Sequence, residues 1–264
     1  MKKSSSNLTI IVFISISYFI TWLILFPLAA LYNDLNFVER EIWHSLGSIG
    51  PTIGGIIAIY LSNKKEGLLL LKERVLRYSG WKILLFAFSP LLILIVVLLF
   101  ESLFGSFNLS TFLVQNSIDS ILTFIIFLLP SFCYGFFEEI GWRGFLLPKF
   151  QTRFNAFIST LLLTIIWWFW HFPTFFYRFN LLYGLLLMFP LMLSGSIVLT
   201  FLFNWSKGSV LMVIILHISY DLVTSHEISI ISIILVSAFY IFMDIRIIKV
   251  FGLENLSPQK RSII

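Results

Sequence analysis

Cysteine, charge and long polar stretches are all scarce in this sequence. The 264 residues include one cysteine, Cys133, so neither an intrachain disulfide nor a cysteine-based metal cluster can form. Charged residues make up 12% of the chain, about half the share found in soluble globular domains, and no polar stretch is long enough for a soluble domain. The net charge of +5 does not indicate a nucleic-acid partner, because the basic residues are spread over short loops instead of one polar face.

Apolar residues make up 59% of the chain, and Phe alone occurs 30 times. Eight apolar stretches are each near the ~20 residues that cross ~30 Å of hydrocarbon as a helix. They are too long and too continuous for the strands of a membrane barrel. We therefore predict an all-α polytopic membrane protein with eight transmembrane helices, forming a single integral membrane domain over residues 1–264. The predicted spans are 8–32, 44–62, 82–104, 118–147, 154–172, 181–203, 207–224 and 228–248.

The distribution of Lys and Arg predicts the orientation, because cytoplasmic loops carry an excess of both. With a cytoplasmic N-terminus, the outer loops hold only Arg40 and Arg178, and Arg143 lies inside the fourth span. The fifteen basic residues of the inner segments are Lys2, Lys3, Lys64, Lys65, Lys72, Arg74, Arg77, Lys82, Lys149, Arg153, Lys207, Arg246, Lys249, Lys260 and Arg261. We predict a multi-pass cell-membrane protein with both termini cytoplasmic, an inner surface helix at 63–78 and a loose tail after Val250.

Ionisable residues inside the spans are few. A charge near the bilayer centre costs about 2.5–3.5 kcal/mol on insertion scales, so each such residue is a candidate functional residue. The candidates are Glu138, Glu139, Arg143, His171, His217 and Asp221. Asp244 and Arg246 lie near the inner end of the last span and are assigned no role, whereas His44 and His226 lie at outer span edges and are expected to be solvated.

Helix geometry pairs some of these candidates. Glu139 and Arg143 are four residues apart, so they share a helix face and can form an ion pair. Glu138 is turned by roughly 100° from that face, has no local cation, and is therefore available as a general base toward water. His217 and Asp221, also four apart, point the same way.

Each of these features also has a structural interpretation. A Glu–Arg pair inside a membrane can simply join helices, and a single histidine such as His171 can be a structural hydrogen-bond donor. A His–Asp pair such as His217 and Asp221 can be the proton relay of a transporter. Cys133 is expected to be a small packing residue.

The joint pattern is more specific than its parts. The motifs, in chain order, are Glu-Glu-x-x-x-Arg at Glu138, Glu139 and Arg143, an aromatic residue four before histidine at Trp167 and His171, and His-x-x-x-Asp at His217 and Asp221. Together they resemble the motifs of the CPBP membrane proteases, the group that contains CAAX prenyl protease 2 and bacteriocin-processing or immunity proteins. The family usually has Phe where this chain has Trp167, a departure expected to affect only packing. The resemblance covers a catalytic core at about residues 118–224.

The resemblance implies roles for the candidates. Glu138 would activate a water molecule for attack on a peptide carbonyl, and His171 would help to hold that water. His217 would stabilise the tetrahedral oxyanion, with Asp221 as a supporting residue, since its carboxylate contributes only if protonated or by orienting His217. These roles agree with the base, trapped water and directed donors that peptide hydrolysis requires.

By the same resemblance, Glu139 and Arg143 would hold the catalytic helix in register. No cofactor is certain, but zinc is a candidate, because histidine and glutamate side chains can bind it with one position open for water. The His-Glu-x-x-His signature of zincins and site-2 proteases is absent, and the family has been described both as metalloproteases and as glutamate-dependent proteases. We favour the metal-free interpretation.

These observations predict an intramembrane endopeptidase acting in the lipid bilayer on membrane-associated peptides or proteins. Rhomboid-like and presenilin-like enzymes fit worse, because neither Gly-x-Ser-Gly nor Gly-x-Gly-Asp occurs. The alternatives left open are a non-catalytic bacteriocin-immunity or scaffold protein and a transporter, although a transporter predicts internal pseudo-symmetry that the sequence does not reveal. A signal-like or bacteriocin leader peptide, or a membrane-anchored regulator, is the expected substrate class; the oligomeric state stays open.

Residue counting tests whether the candidates lie at one depth. At 1.5 Å per residue, Glu138 lies roughly 15 Å from Pro148, whereas His171 lies roughly 27 Å from Arg153. A tilt, a kink at Pro130 or different span ends must absorb the difference of roughly 10 Å.

Overall fold

The computed structural model describes residues 2–224 and 229–263, without the side chains of residues 2–6. Every regular element in this part of the chain is helical. The α-helices are α1 (Lys2–Leu31), α2 (Phe37–Leu46), α3 (Ile49–Leu76), α4 (Trp81–Ala87), α5 (Ser89–Leu103), α6 (Leu109–Gln115), α7 (Ile121–Gly141), α8 (Leu147–Gln151), α9 (Ala156–Trp170), α10 (Leu181–Leu186), α11 (Met188–Trp205), α12 (Val210–Thr224) and α13 (Ile230–Asn255). The all-α prediction is confirmed. His226 and the first residue of the predicted eighth span lie outside the described residues.

Helix lengths give a smaller number of clear membrane spans than the eight predicted. Among the described residues, five helical segments are long and apolar enough to cross a membrane: Asn7–Asp34, Phe37–Leu76, Ile121–Gln151, Met188–Trp205 and Ile230–Asn255. The bent pair α4 and α5, at 58° to each other, makes six if it is one span. The apolar helices α9 and α12 have 15 residues each, or about 22 Å at 1.5 Å per residue. The predicted count of eight is therefore not confirmed.

Local sequence explains two breaks in the long helices. Pro90 lies in the first turn of α5, where its missing N–H and fixed φ end the preceding helix and start a new one. In α3, Lys64 has non-helical backbone angles (φ 50°, ψ −137°), and the chain resumes as helix to Leu76. A helical segment thus occupies most of the predicted 63–78 region.

The helix that carries Glu138 is packed tightly on two sides. A Cβ on Gly141 of α7 would collide with the carbonyl of Pro51 in α3, and a Cβ on Gly135 would lie 2.9 Å from the backbone N of Ile218 in α12. Glycine at these positions lets the helix backbones approach closely, as small residues do in membrane bundles. The close packing fixes α7, the helix that carries Glu138, against α3 and α12.

The end of this helix explains the predicted depth mismatch. After Gly141 the chain passes through a π-helical turn, Trp142–Leu146, and continues as α8 to Gln151. Glu138 is then roughly 20 Å along the helix from Gln151, and His171 is roughly 22 Å from Ala156 at the start of α9. The predicted inner span ends were wrong, and the corrected ends put both side chains at one level.

The C-terminal tail is the other correction. It was expected to be loose, but Leu256 is buried in a left-handed turn (φ 48°) and the following residues bond back to the bundle. The backbone N–H of Ser262 donates to Asn204 Oδ1 at 2.9 Å, and the carbonyl of Ile263 accepts from Arg74 at 2.9 Å. The tail is therefore part of the folded domain.

Candidate active site

Glu138 is fully buried on α7, and its two carboxylate oxygens differ in their surroundings. Oε2 accepts a hydrogen bond from the indole N–H of Trp142 at 3.1 Å and another from the indole N–H of Trp167 on α9. Oε1 has no hydrogen-bond partner among the described residues. Two donors on one oxygen fix the orientation of the carboxylate and leave the other oxygen available.

His171 faces that available oxygen. It caps the C-terminus of α9, and its Nδ1 lies 2.9 Å from the carbonyl oxygen of Trp167. A carbonyl only accepts hydrogen bonds, so Nδ1 carries a proton, and in the neutral ring Nε2 is an acceptor. Nε2 lies 3.8 Å from Glu138 Oε1, which is beyond direct hydrogen-bond distance. Glu138 Oε1 and His171 Nε2 are therefore two hydrogen-bond acceptors that one donor molecule beside them could bridge.

Glu139 connects its own helix to α12 through one oxygen, and its partner Arg143 reaches α11. Its Oε1 accepts from Arg143 Nη1 at 2.7 Å and from His217 Nδ1 on α12 at 2.7 Å. Arg143 Nη2 donates to Ser196 Oγ on α11 at 3.0 Å, and the guanidinium carbon lies 4.9 Å from the centre of the Trp167 ring. The predicted Glu139–Arg143 ion pair is confirmed. Glu139 and Arg143 are both fully buried, so their pairing compensates the cost of removing both charges from water.

Asp221 stands beside His217 but not in direct hydrogen-bond contact. Its Oδ2 lies 3.6 Å from His217 Nε2, and its side chain is 18% exposed. Because Nδ1 of His217 is committed to Glu139, Nε2 is the only ring nitrogen left to face a ligand.

These groups surround a single cavity of about 680 Å³, within the usual size range for ligand pockets. Of the candidates predicted from sequence, its walls include Glu138, His171, His217 and Asp221. Glu139 and Arg143 are not part of the lining; Glu139 bonds His217 from behind it, and Arg143 bonds Glu139. The sequence-predicted residues therefore divide into four on the cavity wall and two behind it.

Sequence reasoning missed the two tryptophans. Trp142 is four residues after Glu138, a spacing that places both side chains on one helix face, so this contact was readable. Trp167 was expected to affect only packing, whereas it donates to Glu138 Oε2 from a different helix. Only the folded arrangement reveals that contact.

His44 is a second correction. It was expected to be solvated, but it is buried at 7% exposure, with Nδ1 2.7 Å from Tyr177 Oη and 3.2 Å from Tyr134 Oη. Tyr134 precedes Glu138 by one turn, and all three aromatic side chains line the cavity. The histidine is buried because the segment after α9 folds back over α2.

The donor set does not form a complete zinc site. Within residues 2–224 and 229–263, no three His, Cys, Asp or Glu side chains are grouped as metal ligands. Glu138 Oε1 and His171 Nε2 face each other at 3.8 Å, while His217 bonds Glu139 through Nδ1 and keeps Nε2 free.

Comparison with known proteins supports the same family. Residues 119–223 match the protein-family model described as type II CAAX prenyl endopeptidase, Rce1-like. The chain is also similar to CAAX prenyl protease 2 of Methanococcus maripaludis, with 28% identity over 192 residues that cover 67% of this chain and 69% of the relative. The matched region contains all six candidates. The resemblance to the CPBP family is confirmed, and it supports a membrane protease.

Proposed function

We propose that this chain, like the CPBP proteases it resembles, is an intramembrane endopeptidase. In this proposal Glu138 activates the attacking water. One observation carries the proposal: the free Oε1 of a buried glutamate faces His171 Nε2 at 3.8 Å inside a ligand-sized cavity. A water molecule beside the line joining these atoms can donate to both at normal hydrogen-bond distances. Its oxygen lone pair is then free to point at a peptide carbonyl.

Proton transfer follows from this arrangement. Glu138 Oε1 accepts a proton from the water while the water oxygen attacks the carbonyl carbon, as expected of a general base. The tetrahedral intermediate collapses when the C–N bond breaks and the leaving nitrogen takes the proton from Glu138. The carboxylate returns to its starting state, so the cycle needs no further reactant.

The developing oxyanion needs a donor, and His217 is placed to supply it. Nδ1 donates to Glu139, and a protonated ring carries a second N–H on Nε2, which faces the cavity beside Asp221. A fixed donor aimed at developing charge typically contributes a factor of about 10²–10³ in rate. The Glu139 carboxylate at Nδ1 and the Asp221 carboxylate near Nε2 flank this ring.

The tryptophans position the base. With Oε2 held by Trp142 and Trp167, the carboxylate cannot rotate to exchange its oxygens without losing two hydrogen bonds. Positioning of this kind lowers the entropic cost of reaching the attacking geometry. We propose that Trp142 and Trp167 are positioning residues for Glu138.

We further propose a metal-free mechanism and a membrane-associated peptide or protein as substrate. The protein would lie in the cell membrane with both termini cytoplasmic, crossing it eight times if the bent pair α4 and α5, α9 and α12 each count as one span. No observation favours a transporter or a non-catalytic immunity protein.

Cleavage of a quenched peptide library by the protein purified in detergent tests the proposal. The library includes prenylated and unprenylated peptides, since the relative is named a prenyl protease. Glu138→Gln, His171→Ala and His217→Ala are expected to lose cleavage, and Glu66→Gln, at an exposed position, is the matched control. Unchanged cleavage in all three site variants would remove the proposed site.

A further inference from the structure

The cavity opens at one end of the helix bundle. Above the candidate site its walls come from the segment after α1, the α2 region, the α6–α7 connection, the segment after α9 and the end of α12. Representative residues are Tyr32, Glu41, Gln115, Tyr177 and Thr224. Since α1, α7 and α9 alternate in direction along the chain, these positions all belong to the same end of the bundle.

The opposite end is closed by hydrogen bonds between its loops. Arg77 donates to the Lys207 carbonyl, Ser209 Oγ donates to the Arg77 carbonyl at 2.5 Å, and Ser79 Oγ donates to the Ser206 carbonyl at 3.1 Å. These bonds join the α3–α4 connection to the α11–α12 connection. None of the cavity-lining residues comes from either connection.

The C-terminal tail completes this closed end. Gln151 at the end of α8 and Asn204 near the end of α11 exchange side-chain hydrogen bonds of 2.9 and 3.2 Å. Ser262 bonds to both, through its carbonyl to Gln151 and its N–H to Asn204, and Arg261 Nε donates to the Gln151 carbonyl at 2.9 Å. The described residues of this end are thus bonded to one another, and none of Gln151, Asn204, Arg261 and Ser262 lines the cavity.

Charge assigns the two ends to the two sides of the membrane. The closed end holds the inner basic residues, including Lys72, Arg77 and Lys207, whereas the open end holds Arg40 and Arg178. Arg178 is neutralised by Glu41 through bonds of 2.6 and 2.8 Å. The excess of Lys and Arg marks the cytoplasmic side, so the open end faces away from the cytoplasm.

We propose that the substrate reaches Glu138 from the extracytoplasmic side, through the opening lined by Gln115 and Tyr177. The inference rests on the proposed protease function and narrows its substrate class. The substrate is an exported peptide, or the extracytoplasmic segment of a membrane-anchored protein, presented after translocation. A cytoplasmic C-terminus would not reach the site.

Cysteine labelling tests the sidedness without relying on activity. In a Cys133→Ala background, Gln115→Cys places a thiol at the opening and Lys72→Cys places one at the closed end, both at exposed positions. A membrane-impermeant maleimide added to intact cells is expected to label Gln115→Cys, and Lys72→Cys only after lysis. The reverse pattern overturns the inference.

Sided vesicles test substrate access. The probe is a membrane-impermeant quenched peptide that the detergent-solubilised enzyme cleaves. Right-side-out vesicles are expected to cleave it, inside-out vesicles only after detergent is added, and Glu138→Gln vesicles not at all. Cleavage by inside-out vesicles overturns the access inference alone. Equal cleavage by wild type and Glu138→Gln in detergent overturns the protease proposal instead.

Discussion

The indole N–H of Trp167 on α9 donates to Oε2 of Glu138 on α7. This contact crosses between two helices and acts on the oxygen that does not face His171. The contact depends on the indole N–H, which a phenylalanine side chain at this position would lack.

Trp167→Phe is therefore expected to lower kcat with little change in KM. Misplacing a catalytic group can cost about 10²-fold in rate, and Trp142 still holds Oε2, so the expected loss in kcat is about tenfold. Trp168→Phe is the matched control, because Trp168 donates to the Gly184 carbonyl at 2.8 Å and not to Glu138. Steady-state kinetics on both variants decides the matter, and an unchanged kcat in Trp167→Phe contradicts the positioning role.

The two adjacent glutamates are expected to differ in their effect on stability. Glu139→Gln leaves the buried Arg143 without its carboxylate, and breaking such a pair typically costs about 3–5 kcal/mol. Glu138 accepts from two indoles but pairs with no Lys or Arg in the described chain, so Glu138→Gln is expected to cost much less. Thermal unfolding in detergent measures both, and a drop in Tm for Glu138→Gln as large as that for Glu139→Gln would contradict this assignment.

These contrasts separate what sequence could predict from what it could not. The four-residue spacing predicted the Glu139–Arg143 pair, because both ends lie on one helix. The bonds from Trp167 to Glu138 and from His217 to Glu139 join different helices, so no local spacing encodes them. The corrected helix end at Gln151 likewise depends on a π-helical turn that an apolar stretch does not reveal.

Hydropathy has a similar limit. It identified the apolar helices but assigned full spans to α9 and α12, whose described residues, 15 in each, are fewer than the ~20 of a usual crossing. It also gave no sign that the polar tail would fold back. The bonds of Ser262 and Arg261 to Gln151 form only once α8 and α11 are adjacent.

Asp221→Asn is expected to keep or raise activity. The carboxylate lies 3.6 Å from His217 Nε2, and an ionised carboxylate cannot donate to an oxyanion, whereas an amide can. Asp221→Leu, similar in size, supplies neither donor nor charge and is expected to lower kcat. Kinetics of the three proteins on one peptide tests the order; a strongly impaired Asp221→Asn with an unimpaired Asp221→Leu would reverse the assigned role.

Metal chelation is expected to leave cleavage unchanged. The expectation follows from the proposed role of Glu138 as the base that activates the water, and no three His, Cys, Asp or Glu side chains among the described residues are grouped as metal ligands. The assay compares activity before and after incubation with a zinc chelator, and then after zinc is restored. Loss with the chelator and recovery with zinc would contradict the metal-free mechanism.

The most direct test of the account is whether Glu138 and His171 act on the same water. A double-mutant cycle compares kcat/KM for Glu138→Gln, His171→Ala and the combined variant, with Tm confirming that each is folded. Residues that act as a unit give strongly non-additive losses. The account predicts that the combined variant is no slower than Glu138→Gln alone. Losses that multiply, or a Glu138→Gln protein that cleaves at the wild-type rate, would contradict it.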